Sequence, residues 1–280
     1  MDVLVVGAGA MGGWLGRVFL DTFEQAGLRS EGETTDSVDL IYYDQQYRIA
    51  ETMASETGGR AVETLDDEEF DVVCVAVPIP VATSALEEHA PRAHRAVVDV
   101  TGTMREPVES MRRHAPECER CSLHPLFAPA NEPGNVPVVI DQDGPVTSAL
   151  REALEARGNH VFETTPAEHD EAMETVQARA HAAILAYGLA AEPVHERFQT
   201  PVSATLFELL EQVTSGESRV YADIQSAFDG AEDVAAMAKA LSEADTDAFE
   251  RLYVQARPGS DRDERTRHGT AMNERNGGHR

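Results

Sequence analysis

Val3-Leu4-Val5-Val6-Gly7-Ala8-Gly9-Ala10-Met11-Gly12 decides the fold. Four consecutive apolar residues read as a strand buried on both faces, as in a parallel sheet covered by helices on each side. The glycines that follow form a G-x-G-x-x-G set, in which missing side chains permit a tight turn and close approach of backbone to a pyrophosphate. A helical pattern from about Met11 to Ala26 comes next, its N-terminus aimed at the phosphates. Strand, glycine turn and helix in this order predict a dinucleotide site held by Gly7, Gly9, Ala10, Met11 and Gly12.

Outward from this stretch, Val38 to Tyr43, Val72 to Val77 and Ala96 to Val100 repeat the buried-strand signature and alternate with helical patterns. The alternation predicts right-handed βαβ units, hence an α/β, doubly wound parallel sheet of Rossmann type. Cys121 to Leu126, Val136 to Ile140 and His160 to Glu163 read as later strands, with a helix from about Val146 to Arg157 between the last two. Asp44 ends the second strand, where a carboxylate accepts hydrogen bonds from a ribose hydroxyl and repels a 2′-phosphate, so the cofactor is expected to be NAD. It lies beyond the ~20 residues usual for that spacing, and the polar stretch Ser30 to Ser37 reads as the insertion responsible. Asp39 is a rival, earlier in the strand. Val77 and Pro78 are expected to cover the nicotinamide side of the cleft.

From Thr165 the pattern is helical almost to Arg257, opening with Thr165 as N-cap, Pro166 in the first turn and Glu168 three residues after the cap. The expected division is therefore a dinucleotide-binding domain over 1–164, an all-helical substrate and dimerisation domain over 165–257, and a disordered tail over 258–280. That tail is charged, glycine-bearing and without periodicity, so its apolar surface would not offset the entropy of ordering it.

A net charge of −27 repels phosphate backbones and anionic bilayers, which excludes nucleic-acid and membrane-surface partners. Apolar runs fall short of the ~20 residues that span a bilayer, and the chain starts on a strand instead of a leader, so it is expected to be cytoplasmic. Lys239 is the only lysine, and the carboxylates are spread over the whole chain, a pattern that suggests a salt-adapted surface. Cys74, Cys118 and Cys121 are too few for a disulfide scaffold.

The chemistry-bearing candidates are histidines. His124 lies in Cys121-Ser122-Leu123-His124-Pro125-Leu126-Phe127-Ala128-Pro129, where a strand ends in a proline-broken loop at the cofactor edge. An imidazole there can bind a hydroxyl and take its proton as hydride leaves; the bland alternative is a histidine packed at a loop. His169, Met173, Gln177 and His181 recur at i, i+4 and so share a helix face, as a cleft wall or substrate contact would require. Of the two histidines, His169 reads more as a surface residue. His114, Cys118, Cys121 and His124 invite a zinc reading, but a buried strand would fix their side chains in directions that do not converge, so no metal is expected.

Together these motifs resemble the prephenate dehydrogenase family, which includes arogenate dehydrogenases. The matching pieces are Gly7 to Gly12, Val75-Ala76-Val77-Pro78-Ile79, Val98-Asp99-Val100-Thr101-Gly102-Thr103, His124-Pro125-Leu126-Phe127-Ala128-Pro129, Glu168-His169-Asp170, Gln177-Ala178-Arg179-Ala180-His181 and Tyr221-Ala222-Asp223-Ile224. The resemblance implies a Rossmann domain, a helical domain that forms a homodimer, and oxidative decarboxylation of prephenate to 4-hydroxyphenylpyruvate in tyrosine biosynthesis. It assigns His124 to the ring hydroxyl and His181 to substrate binding across the cleft, with Gln177 beside it.

Two departures bear on the substrate. The family's serine-valine-lysine reads Gly102-Thr103-Met104 here, leaving Thr101 or Thr103 to supply the hydroxyl, and its substrate-binding arginine aligns with Ala204. Arg179, two residues before His181, is the expected substitute cation for the substrate carboxylates. An arogenate or cyclohexadienyl dehydrogenase, a β-hydroxyacid or imine reductase, and a non-catalytic NAD-binding regulator are the alternatives, the last because a Rossmann domain fixes cofactor binding and not turnover.

Overall fold

The computed structural model describes residues 1–25 and 38–257. The Ser30 to Ser37 insertion and the tail from 258 lie outside the described residues. Strand β1 (Asp2–Val6) shows how the sequence builds the sheet, because alternate residues face opposite sides. Val3 and Val5 enter one core with Trp14, Leu15, Val18 and Phe19 of helix α1 (Ala10–Gln25), while Leu4 and Val6 enter a second core on the other face. Burial on both faces is why the strands read as unbroken apolar runs.

The chain continues through β2 (Asp39–Tyr43), α2 (Tyr47–Thr57), β3 (Arg60–Val62), β4 (Phe70–Val75), α3 (Ile79–His89), β5 (Ala93–Asp99), α4 (Arg105–His114), β6 (Glu119–Leu123), β7 (Asn135–Gln142), α5 (Pro145–Ala156) and β8 (His160–Glu163). Among the described residues these strands form one sheet in the order β3-β2-β1-β4-β5-β6-β7-β8. Helices α1 and α5 cover one face; α3 and α4 cover the other. The three-residue β3 is too short to carry a sequence signal.

Two strands depart from the parallel sheet expected above: β7 runs antiparallel to β6, pairing Leu123 with Val138 and Ser122 with Val139, and β8 follows β7 in parallel, so both oppose the other six. A parallel partner needs a crossover of roughly a dozen residues or more, usually helical. The connection here is proline-broken at Pro125, Pro129 and Pro133 and forms only a short 3₁₀ turn, Pro129–Asn131. The reversal leaves His124 at the end of β6 and returns the chain alongside it.

Helix α6 (Pro166–Met173) starts as the sequence predicts, with the Thr165 hydroxyl accepting the Glu168 N–H. It passes without a break into a π-helical stretch, Glu174–Arg179, and then α7 (Ala180–Ala190). Helices α8 (Pro201–Thr214), α9 (Ser218–Ala227), α10 (Gly230–Glu243) and α11 (Thr246–Gln255) complete the helical part. Gly188 lets α7 approach α8, since a Cβ there would lie 2.6 Å from Leu210 Cδ1. No helix among the described residues is long and apolar enough to cross a membrane.

Candidate active site

The carboxyl ends of β1, β2, β4, β5 and β6 converge on one edge, the usual ligand edge of such a sheet. Gly7 takes φ +90°, and a Cβ on it would sit 2.4 Å from the Ala76 carbonyl oxygen and 2.9 Å from Val77 Cγ1. A Cβ on Gly12 would fall 1.9 Å from the Gly7 carbonyl oxygen. Both positions therefore exclude any side chain. At Gly9 the direction of a Cβ is open space, so backbone is presented bare toward the place a pyrophosphate takes at the N-terminus of α1.

Ala10 opens α1 and is exposed, with Met11 half-buried behind it, while Ala8, Gly9 and Ala10 form one wall of an open groove completed by Arg48, Ile49, Thr52 and Met53 of α2. Asp44 closes its end: Oδ2 accepts the Ala8 N–H at 3.0 Å and Oδ1 the Gln46 N–H at 2.8 Å. Each oxygen retains a lone pair for a ribose hydroxyl. Asp39, the rival, pairs with Arg60 instead. The bare Gly9 backbone and the Asp44 carboxylate fit a dinucleotide. Val77 packs against the Gly7 turn, and Pro78 is exposed at the start of α3.

His124 stands at the end of β6, joined to the helical part by a chain of hydrogen bonds. Its Nδ1 lies 3.0 Å from His169 Nε2, and His169 Nδ1 lies 2.8 Å from Asp170 Oδ1. Asp170 also accepts the Met104 N–H at 2.9 Å and the Arg105 N–H at 3.1 Å, at the N-terminus of α4. Burial pushes the Asp170 carboxyl up, but the bonds from His169, Met104 and Arg105 outweigh it and hold the group below the usual carboxylate range. An ionised Asp170 only accepts, so His169 carries its proton on Nδ1. When that is the only proton on the ring, Nε2 is an acceptor, which places the His124 proton on Nδ1 and leaves His124 Nε2 a lone pair.

That lone pair faces the loop after β5, where a Cβ on Gly102 would lie 4.0 Å from it. Burial, then the neighbouring His169, pull His124 down to about 3, against the pull of Asp170. The ring is therefore neutral at ordinary pH. His169 is 2% exposed, which corrects the surface reading of this residue. Its polar neighbours across the cleft hold it, and a helix periodicity alone does not show them.

The loop Thr101–Thr103 is tied to a buried carboxyl. Asp99 Oδ2 accepts the Ser122 hydroxyl at 2.7 Å and lies 3.3 Å from Thr101 Oγ1, which is also 3.1 Å from the Thr103 carbonyl oxygen. Burial lifts Asp99 to about 7, with the Ser122 and Thr101 bonds opposing it. The Thr101 hydroxyl is buried and engaged within the loop; Thr103 is half-buried beside Gly102.

On the helical side, Gln177 Oε1 and His181 Nδ1 are buried atoms with no hydrogen-bond partner among the described residues. His181 stacks edge-on against Tyr221 of α9, ring centroids 4.8 Å apart, and burial lowers its pKa. Arg179 turns away from these groups. Its guanidinium bonds Asp233 on α10 at 2.6 and 2.8 Å, Thr175 at 2.8 Å and Glu174 at 3.2 Å. Two carboxylates meet its charge, and a substrate carboxylate would have to displace them.

Residues 32–135 match the nucleotide-binding domain of prephenate dehydrogenase. Over 205 residues the chain is 31% identical to the 4-amino-4-deoxyprephenate dehydrogenase of Streptomyces pristinaespiralis, a match covering 67% of this chain and 69% of that protein. The chain belongs to the prephenate dehydrogenase family. A probable arogenate/prephenate dehydrogenase of Methanocaldococcus jannaschii is 25% identical over 170 residues, 55% of this chain and 38% of that one. The fold is that of the A. aeolicus prephenate dehydrogenase solved with hydroxyphenyl propionate and NAD+ (TM-score 0.63, 15% identity, 98% of this chain and 97% of that one).

Within this prephenate dehydrogenase family member, residue-by-residue reading passed over Asp170, Asp99 and Ser122. Asp99 had a signal, since a carboxylate inside Ala96-Val97-Val98-Asp99-Val100 sits in a strand that reads as buried. Asp170 had none beyond its place in the family motif, because apart from the adjacent His169 its partners are backbone groups 65 and 66 residues away.

Proposed function

We propose that the protein is an NAD-dependent dehydrogenase that converts prephenate to 4-hydroxyphenylpyruvate, with residues 1–164 binding the nucleotide and 165–257 supplying the far wall of the cleft. The observation that carries this reading is the His124–His169–Asp170 chain, which leaves His124 Nε2 as a neutral acceptor beside Gly102. Gly7, Gly9, Gly12 and the start of α1 hold the pyrophosphate, Asp44 the ribose, and Val77 and Pro78 border the nicotinamide. When bound, NAD supplies the hydride acceptor.

His124 Nε2 accepts the hydrogen bond of the ring hydroxyl. As hydride leaves the carbon bearing that hydroxyl, positive charge builds there, and the lone pair stabilises it. The ring carboxylate departs as carbon dioxide, its electron pair completes the aromatic ring, and the hydroxyl ends the step as a phenol with its proton. Burial keeps His124 free of a proton that would abolish its acceptor. Gln177 and His181, with unmet polar atoms, face the remote end of the substrate.

A second reading has support from the 31% identity to a 4-amino-4-deoxyprephenate dehydrogenase. A lone pair on His124 Nε2 accepts from a ring amine as well as from a hydroxyl. NADH formation with prephenate, arogenate and 4-amino-4-deoxyprephenate, each with NAD and NADP, decides among them. Turnover of prephenate with NAD that collapses in His124→Asn supports the first reading; preference for either amine-bearing acid overturns it, and NAD binding with no turnover leaves a regulator.

We further propose a homodimer through the helical part, where Leu189, Val202 and Phe198 are 90%, 72% and 66% exposed. Light scattering on the purified protein tests it, and a monomeric mass refutes it.

A further inference from the structure

Helix α6, the stretch Glu174–Arg179 and α7 form one continuous rod, yet its middle is wound as a π-helix, in which bonds close i to i+5 instead of i to i+4. The winding changes which residues share a face. An α-helix turns roughly 100° per residue, so His169 and His181, twelve apart, would diverge by about 120° in an unbroken one. One residue absorbed by a wider turn removes about 100° of that and leaves roughly 20°.

Three contacts hold the wide turn. Gln225 Nε2 on α9 donates to the Ala178 carbonyl oxygen, inside the π-helical stretch, at 2.9 Å. Gly230, the first residue of α10, lies so close that a Cβ on it would meet Ala178 Cβ and Arg179 N, each at 2.6 Å. Arg179 is clamped to Asp233, one turn further along α10. This is the place in the structure for an arginine that brings no free charge to the substrate.

We propose that the π turn is a register device that brings His181 onto the line of His169, with Gln225, Gly230 and the Arg179–Asp233 pair as the positioning residues that hold it. The inference rests on the reading of the cleft given above, in that the aligned face is the substrate wall. The groups it positions are His169, which fixes the His124 tautomer, and Gln177 and His181, whose buried polar atoms await a partner.

Deleting Val176, a residue 55% exposed, removes the extra residue and restores an α-helical register without emptying a core position. Two readouts separate the register from the reaction. The first is the His181 ring proton resonance, shifted by the Tyr221 ring 4.8 Å away, which needs no turnover. In the deletion variant that shift should disappear while NADH binding by fluorescence is unchanged. The second is steady-state kinetics, where KM for the acid should rise about tenfold or more with KM for NAD nearly constant.

Should the deletion fail to fold, Gln225→Met, which keeps the volume but cannot donate, should raise KM for the acid, and Gln225→Lys, which can donate to Ala178, should recover part of it. A deletion variant that keeps both the ring shift and the wild-type KM overturns the register proposal, as does a Gln225→Met variant with unchanged KM. A wild-type protein that turns over none of the three acids but loses the ring shift on deletion overturns the functional reading and leaves the register intact.

Discussion

Replacing His169 by leucine tests the tautomer argument at its centre. His169 is 2% exposed, with Nε2 3.0 Å from His124 Nδ1 and Nδ1 2.8 Å from Asp170 Oδ1, so leucine fills the space but removes both the acceptor for His124 and the donor to Asp170. His124 then has two choices. Keeping the proton on Nδ1 buries an unpaired donor, which costs about 1–3 kcal/mol; moving it to Nε2 destroys the acceptor that faces Gly102. Either way, presenting the lone pair to a substrate hydroxyl carries that cost, and at ~1.36 kcal/mol per factor of ten kcat/KM should fall about 5- to 150-fold. His169→Gln is the companion, since its amide oxygen reaches the position of Nε2 and restores an acceptor. NADH formation at pH 7.5, with melting curves showing both variants folded, reads the result. A leucine variant within about twofold of wild type, or a glutamine variant no better than leucine, refutes the chain of inference from Asp170 to His124.

Gly9→Val should raise KM for NAD at least about tenfold with little change in melting temperature, because the new side chain enters open space where backbone approach is needed and clashes with nothing in the protein; unchanged KM would remove the pyrophosphate from this turn. Asp99 keeps its proton to about 7 when folded and loses it near 3.8 when unfolded, so between those values the native state holds more protons and stability falls as pH rises, by at most ~1.4 kcal/mol per pH unit. Asp99→Asn has no such proton to lose, and its melting temperature should therefore gain on wild type from pH 5 to pH 8; parallel curves would show that Asp99 is not neutral in the fold. With a net charge of −27, self-repulsion should be relieved by salt, and the melting temperature should climb from dilute buffer into molar KCl. Equal stability at both ends would count against a salt-adapted surface.

The sheet was legible because its strands are buried on both faces, so Val3 to Val6 or Val72 to Val75 signal themselves without reference to anything distant. Local signals also found the glycine turn and the Thr165 cap, whose geometry is set within a few residues. The direction of β7 was not legible in the same way: an apolar run is the same forwards and backwards, and only the proline-broken connection before it favours reversal. The site was half legible for a related reason. His124 shows itself by ending a strand in Pro125, but its working state depends on His169, 45 residues on and in another layer. Arg179 shows the opposite error, since proximity in sequence to His181 suggested a substrate cation and Asp233, 54 residues away, had already engaged it.

The hydrogen-bond chain has a property that neither part of the molecule has alone. His124 belongs to the sheet, His169 and Asp170 to the helical part, and Asp170 returns to the sheet-bearing part at Met104 and Arg105 on α4. Every link across the cleft is thus needed to define one proton position. The His124 tautomer is therefore set by contacts from both parts, and loss of either the His169 or the Asp170 link would leave the His124 proton free to take either nitrogen. Competence of His124 is then a property of the assembled cleft, and the helix that carries His169 and Asp170 supplies its far side.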